Sequence, residues 1–575
     1  MSKYFLLLTL TSCALVSPLK QSSVVKGKSR TDYESYAKNF MISTQGVGTT
    51  KAAKYAIDRG GNIFDAAIAA SFAISVERPH STGIGGGGFM MIDHVESKTK
   101  TAFDFREMAP QRAHSKMFLN EDGTQDTDRS LTGGLASGVP GLVAGLVEVH
   151  KKYGSLPFGD LVKPAIDLAR KGFKIYPGLA KALEAEKDRL CKFESSKKIF
   201  LNEDCSPKKE GEVLIQEDLA KTLELIASDK NQSFYFGKLA KKIANSQAMH
   251  GGLITTEDMA QYVVKERKPI EGTYRGYKIV SMPPPSSGGT HIIQILNILE
   301  NADLRSMGPQ SSQAIHLTSS AMQMAFADRA EYMGDNDYSV VPLRTLTSKQ
   351  YAKVLYNKIN PDLALESKDF PIPFNKIFLK EPDHTTHFTI MDSKGNIVSS
   401  TQTINGWFGS AVVAEGTGIV MNNEMDDFAS HIGGVNLFGA IGGKNNLVHP
   451  KKRPLSSMSP TMVYTEKGKP LMALGTPSGT RILTCVMQTI LNVLEYDMEL
   501  WDAVSATRYH HQWYPEYIRV GDPGFEPYVE KQLKELGHKI VRKNLGCSIQ
   551  AIKLESDGKL HGVSDPRGEG LSLGF

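Results

Sequence analysis

Two threonines stand where they could do acyl chemistry. The stretch Asp383-His384-Thr385-Thr386-His387-Phe388-Thr389-Ile390-Met391 leads from easily bent polar residues into a run of β-formers. Asp392-Ser393-Lys394-Gly395-Asn396 is a turn cluster, and Ile397 to Ile404 is a second strand-like run. Folded as a hairpin about Lys394, the chain sets Thr385 and Thr403 opposite each other, because each is nine residues from that centre. Facing threonines are also ordinary cross-strand pairs, so the pair alone does not decide function. A threonine hydroxyl is a weak nucleophile and needs a base. No G-x-S-x-G elbow or Ser-His-Asp spacing supplies one. A threonine at a chain terminus carries its own base, since a free α-amine has a pKa of about 8.

Other polar clusters follow in order. They are Asp104-Phe105-Arg106-Glu107-Met108-Ala109-Pro110, then Asn405 and Phe408-Gly409-Ser410, then Asn422-Asn423-Glu424-Met425-Asp426-Asp427-Phe428. Arg453-Pro454-Leu455-Ser456-Ser457-Met458-Ser459-Pro460 and Gly475-Thr476-Pro477-Ser478-Gly479 complete the set. This ordered series resembles the γ-glutamyltransferase (γ-glutamyltranspeptidase, glutathione hydrolase) family, from about Gly46 to Phe575. The resemblance implies an N-terminal-nucleophile hydrolase fold of the α+β class, an αββα sandwich of two mainly antiparallel sheets between helical layers. It implies a precursor that cuts itself between His384 and Thr385, leaving a large subunit, 46–384, and a small one, 385–575, joined as a heterodimer.

The resemblance also assigns roles. Thr385 is the nucleophile and Thr403 positions it. Ser478 and Gly479 offer backbone N–H groups to the oxyanion, with Ser478 standing where the family has glycine; the backbone there is less free. Arg106 grips the α-carboxylate of a γ-glutamyl head group, as a planar guanidinium suits, and Ser456 and Ser457 add donors to it. Glu424 and Asp427 answer the α-ammonium, and Asn405 adds a polar contact. Residues Ile432 to Pro450, rich in glycine and asparagine, correspond to a lid. The substrates implied are glutathione and other γ-glutamyl compounds, with water, an amino acid or a dipeptide as acceptor; no cofactor and no metal is implied. Two other readings remain: a related acylase of the cephalosporin acylase or poly-γ-glutamate depolymerase type, and an uncleaved γ-glutamyl-binding protein.

The elements that must position these residues are partly legible. Lys51 to Arg59 and Asn62 to Val76 have helical periodicity, broken at Gly60-Gly61. Gly83-Ile84-Gly85-Gly86-Gly87-Gly88 contains the text of a dinucleotide motif, but its order is helix, loop, strand, opposite to what such a site needs. Those glycines predict close backbone approach instead. Phe158 to Arg170, Ala180 to Arg189, Glu217 to Ser228 and Leu239 to Ala248 read as amphipathic scaffold helices, and Ser312 to Met333 as a long helix capped by Ser312. Pro283-Pro284-Pro285-Ser286-Ser287 predicts a stiff turn before another helix. Residues 335–384, interrupted by prolines, predict an extended linker, and residues 17–45 an N-terminal one.

The 575 residues carry a net charge of +5 with basic residues scattered, which is no nucleic-acid footprint. Residues 1–16, with Lys3 and the apolar run Tyr4 to Leu10, read as a targeting segment for export, secreted or to the periplasm. Leu10-Thr11-Ser12-Cys13 resembles a lipobox, which would place a lipid anchor on Cys13. No other stretch is apolar over the length a membrane span needs. Cys191 and Cys205 bracket a polar stretch and could pair; Cys485 and Cys547, in apolar settings, read as buried thiols. His510-His511 lacks the spacing of a metal motif and reads as structural.

Overall fold

The computed structural model describes residues 28–367 and 384–575. Two seven-stranded antiparallel sheets lie at its centre. The first runs, edge to edge, through Leu571–Gly574, Phe40–Thr44, Thr386–Asp392, Ile397–Thr403, Gly87–His94, Thr99–Phe105 and Lys265–Arg267. The second runs through Glu34–Ala37, Leu560–Ser564, Gln550–Leu554, Pro470–Gly475, Thr461–Tyr464, Tyr277–Ser281 and Ile270–Tyr274.

The alternation of side chains across a strand explains the layering. Phe388, Ile390 and Val398 point outward into one core with Met90, Ile92 and Phe103 and the helices Val47–Asp58, Ile63–Glu77, Leu142–Tyr153 and Phe158–Lys171. Met391, Ile397, Phe89 and Met91 point inward, into a second core shared with Met462 and Tyr464 of the other sheet, the Tyr464 hydroxyl reaching Asp93. Helices Gly288–Leu299, Ser312–Tyr332 and Arg481–Leu494 cover the far side of that sheet. The order helix, sheet, sheet, helix is the four-layer sandwich the sequence implied.

Hydroxyls share the inter-sheet space with these side chains. Ser43 Oγ donates to Gln550 Oε1 at 3.0 Å, and Ser399 Oγ donates to the Leu474 carbonyl at 3.3 Å. Both of these hydroxyls are bonded, so their burial costs little. Thr385 and Thr403 lie on this same inward face, at the open end of the hairpin.

The hairpin register is the one counted from Lys394. Thr386 pairs with Gln402, and the ladder continues to Met391 with Ile397. The hairpin is flanked by strands from earlier in the chain, with Phe388 opposite Thr44 and Thr401 opposite Phe89. The glycine loop does what its glycines predicted. A Cβ on Gly86 would lie 2.0 Å from the Thr403 carbonyl oxygen, and one on Gly85 2.2 Å from that of Val420. The loop therefore seats the end of the strand that carries Thr403.

Three expectations are corrected. Residues 34–44 are not linker: Glu34–Ala37 and Phe40–Thr44 add a strand to each central sheet. Their apolar residues alternate over too few positions to stand out in sequence. The stretch after 335 is not extended throughout; Leu343–Leu346 and Lys349–Tyr356 are helical, the latter burying Ala352 and Leu355 behind a Ser348 cap. Cys485 and Cys547 are not free thiols: they form a disulfide, as do Cys191 and Cys205. A buried disulfide has the same apolar surroundings as a buried thiol, and 62 residues of separation hide the pairing. The targeting segment, Cys13 and the linker residues 368–383 lie outside the described residues, and among those that are described no helix is long and apolar enough to cross a membrane.

Candidate active site

The Thr385 hydroxyl lies 3.0 Å from the Thr403 hydroxyl, and both side chains are buried. The Thr403 oxygen also accepts the Asn405 N–H at 2.9 Å, which fixes its position. Thr385 has φ of +86°, a left-handed conformation that a β-branched residue adopts only under strain. The strain sits at the His384–Thr385 peptide bond itself.

The His384 carbonyl oxygen accepts the Ser478 N–H at 2.9 Å. A backbone donor is thus already aimed at the carbonyl that an attacking Thr385 hydroxyl would meet. Ser478 has φ of +110°, in the region that favours glycine, which is the conflict the sequence anticipated. Its side chain supplies the compensation: Ser478 Oγ donates to the Leu545 carbonyl at 2.6 Å and accepts from Arg481 Nη2 at 2.9 Å. The His384 ring is held edge-on against Trp407 and Phe438. Its Nε2 accepts the Trp407 N–H at 3.3 Å, and burial keeps its pKa well below the usual histidine value. It is a neutral, bonded group rather than a base poised for the threonine.

Beside the threonines is a small cavity lined by Arg106, Asn405, Glu424, Asp427, Ser456, Ser457 and Gly479 among others. Every residue expected on the substrate lies there, while Ser478 precedes the lining residue Gly479. Arg106 is fully buried and forms ion pairs with Glu424 and, at 2.5 Å, Asp427. Burial opposes its charge, but Glu424, Asp427 and Glu107 outweigh that and hold the guanidinium protonated. Ser456 and Ser457 are set by the Pro283–Ser287 turn: Ser456 N–H donates to the Pro285 carbonyl, and Ser287 N–H donates to the Ser456 carbonyl, both at 2.8 Å.

The acids exceed what Arg106 neutralises. Burial raises Glu424 and Asp427, with Arg106 opposing, and pushes Glu107 up to about 7. Neither Glu107 oxygen nor Glu424 Oε2 accepts a hydrogen bond from a fixed donor. A proton shared between these carboxyls would satisfy both, and an ammonium entering the cavity would replace it.

Of the lining residues that the sequence reading did not single out, three bear on the charged groups or on the loop of Gly479. Asn436 Nδ2 donates to Asp427 Oδ1 at 2.8 Å. Phe438 packs on Gly479, where an added Cβ would lie 2.2 Å from its ring. Both belong to the 432–450 segment, which covers the cavity. Arg329, on the helix Ser312–Tyr332, is the third; that helix is buried on nearly every side and carries polar and apolar residues all round, so periodicity singles out no functional face. His510 and His511 are buried and neutral, with His510 Nδ1 bonded to Thr484 Oγ1 at 2.9 Å. Among the described residues, Glu499, Glu555 and His561 come close enough to share an ion, but they do not line the cavity, and both His561 nitrogens are already paired with Glu34 and Glu555.

Comparison with known proteins agrees with this geometry. The family described as gamma-glutamyltranspeptidase matches residues 49–575. The glutathione hydrolase proenzyme of Escherichia coli is 44% identical over 541 residues, 94% of this chain and 92% of that protein. The glutathione hydrolase proenzyme of Bacillus subtilis is 37% identical over 94% of this chain and 92% of its own. Among solved structures, the γ-glutamyltranspeptidase of Helicobacter pylori is 42% identical, with a TM-score of 0.56 over 62% of this chain and 97% of that one. A cephalosporin acylase from Bacillus halodurans is 27% identical, with a TM-score of 0.82 over 97% of this chain and 99% of that one. With a buried threonine pair, a donor on the His384 carbonyl and a match over nearly its whole length, the chain belongs to the gamma-glutamyltranspeptidase family, with its N-terminal-nucleophile hydrolase fold.

Proposed function

We propose that this protein is a self-cleaving γ-glutamyl hydrolase and transferase acting on glutathione and related γ-glutamyl amides. In the precursor the Thr385 hydroxyl attacks the His384 carbonyl carbon. The C–N bond breaks, leaving an ester on Oγ and a free amine on Thr385, and water then hydrolyses the ester. The products are a large subunit ending at His384 and a small subunit, Thr385 to Phe575. In turnover the new α-amine takes the hydroxyl proton as Oγ attacks the γ-amide carbonyl. The N–H groups of Ser478 and Gly479 receive the oxyanion. The leaving amine departs with a proton, and the γ-glutamyl ester passes to water or to an amino acid or peptide amine. Arg106, Ser456 and Ser457 take the α-carboxylate; Glu424, Asp427 and Asn405 take the α-ammonium. Residues 1–16 direct export.

The observation that supports this reading best is the Ser478 N–H on the His384 carbonyl, beside a threonine hydroxyl and a cavity lined by side chains of both signs, the complement of an amino-acid head group. Arg106 together with Glu424 and Asp427 answers both a free α-carboxylate and a free α-ammonium, which favours a free glutamyl head over the cephalosporin acylase and poly-γ-glutamate depolymerase alternatives. N-terminal sequencing of the small fragment, paired with release of the anilide from γ-glutamyl-p-nitroaniline, tests it. A fragment beginning at Thr385 and rapid release are expected; an active, uncut chain would refute the assignment.

A further inference from the structure

Arg106 is not free to serve the carboxylate alone. It is already held by Glu424 and Asp427, with Glu107 at 3.8 Å. A second arginine borders the same cavity. Arg329 is 4% exposed and forms no ion pair among the described residues. Among the described residues its hydrogen bonds go to two hydroxyls: Nε donates to Ser287 Oγ at 3.1 Å and Nη2 donates to Ser457 Oγ at 3.4 Å. A guanidinium has five N–H donors in a fixed fork. Burying one with only hydroxyl acceptors is costly unless an anion arrives. Burial lowers its pKa to about 10, with Asp427 opposing, so it still carries its charge at neutral pH.

The direction of these bonds matters. Because Ser457 Oγ accepts from Arg329, its own O–H is left to donate elsewhere. Ser287 Oγ donates in turn to the Ser456 carbonyl at 2.9 Å and contacts Ser457 Oγ at 3.5 Å. One guanidinium therefore sets the hydroxyl pair that borders the carboxylate position and adds an uncompensated positive charge behind it.

We propose that Arg329 is a positioning and specificity-determining residue: acting through Ser457 and Ser287, it selects substrates whose acyl group bears an α-carboxylate. This rests on the γ-glutamyl reading above. In that division, Arg106 is the cation that the acids neutralise and orient, and Arg329 is the one whose charge the incoming carboxylate completes.

The test compares two chromogenic substrates in the mature holoprotein: γ-glutamyl-p-nitroanilide and 4-aminobutyryl-p-nitroanilide. The second keeps the ammonium and the amide but lacks the carboxylate. Arg329→Met is expected to raise KM for the first about 10- to 100-fold, the range for a hydrogen bond to a charged group, with a much smaller change in kcat. For the second substrate kcat/KM should stay within about 3-fold of the unaltered protein, so the preference for the carboxylate collapses. Arg329→Lys, which keeps the charge and loses the fork, should fall between. An equal loss on both substrates would overturn the proposal and make Arg329 a structural residue. Where Arg329→Met does not mature, Arg329→Gln, uncharged but still able to donate to Ser457 Oγ, replaces it with the same two expectations. Failure of the unaltered protein to release anilide from the first substrate would instead sink the γ-glutamyl reading.

Discussion

The positive φ of Thr385 makes a prediction whose sign is unusual. At +86° a β-branched side chain crowds its own backbone, at a cost of about 1–3 kcal/mol. Glycine at that position has no such cost. In two variants that cannot cut themselves, Thr385→Ala and Thr385→Gly, the hydroxyl is lost equally. Alanine keeps a Cβ in the left-handed region, at roughly 1–2 kcal/mol. Glycine loses about 0.5–1 kcal/mol through the freedom of the unfolded chain. The balance leaves the uncut glycine variant more stable than the alanine variant by about 0.5–1 kcal/mol, the reverse of the order seen in ordinary strands. Unfolding entropy scales with chain length, so the shift in Tm is only about 0.5–1 °C. Scanning calorimetry on both variants in parallel resolves it, with a single full-length band on a gel confirming that neither was cut. A glycine variant melting below the alanine variant would show that the residue is not strained.

Four further outcomes are expected. Thr385→Ala should run as one chain and release no anilide, whereas the unaltered protein should give fragments of roughly 40 and 20 kDa, from residue counts. Arg106→Met should raise KM and also destabilise by about 3–5 kcal/mol, because Glu424 and Asp427 would remain buried without their counter-charge; an unchanged Tm would contradict the ion-pair geometry. Burial holds Asp426 near 7, against the pull of the Ser130 hydroxyl and the Leu437 N–H. Its folded value lies above its unfolded one, so its contribution is complete at low pH and is lost between about 4 and 7. Asp426→Asn should flatten the fall in Tm over that window, and an unaltered slope would count against it. Reduction of Cys485–Cys547, which closes a loop of 62 residues, should cost roughly 4 kcal/mol; each disulfide lies on one side of the cut, so the fragments should separate in denaturant without a reductant.

What the sequence revealed and what it hid divide along physical lines. The Thr385–Thr403 pairing was countable because a hairpin is a local object: its turn residues mark the centre and the rest is arithmetic. The glycine loop was legible because only close backbone approach explains that many glycines before a strand. The cavity residues were reached through multi-residue motifs, not through periodicity. Arg329 was not reached, since an arginine inside a buried helix gives no signal until the helix is placed beside Ser457. The Cys485–Cys547 bond and the strands within residues 34–44 were hidden for a related reason: each depends on a partner far along the chain. Ser478 shows the opposite case. Sequence flagged a backbone conflict there, and only the fold supplies the tether to Leu545 and Arg481 that resolves it.

The strand Phe40–Thr44 lies between the hairpin that follows the proposed cut and the last strand of the chain, Leu571–Gly574. Scission therefore changes the covalent ledger without changing who neighbours whom. The freshly made amine is born in place, inside a finished sheet, and has no docking step to perform. The same weaving makes the process one-way. Halves pulled apart by denaturant would each lack strands needed to close either sheet, so recovery of activity from separated halves should fail under conditions where the uncut chain refolds.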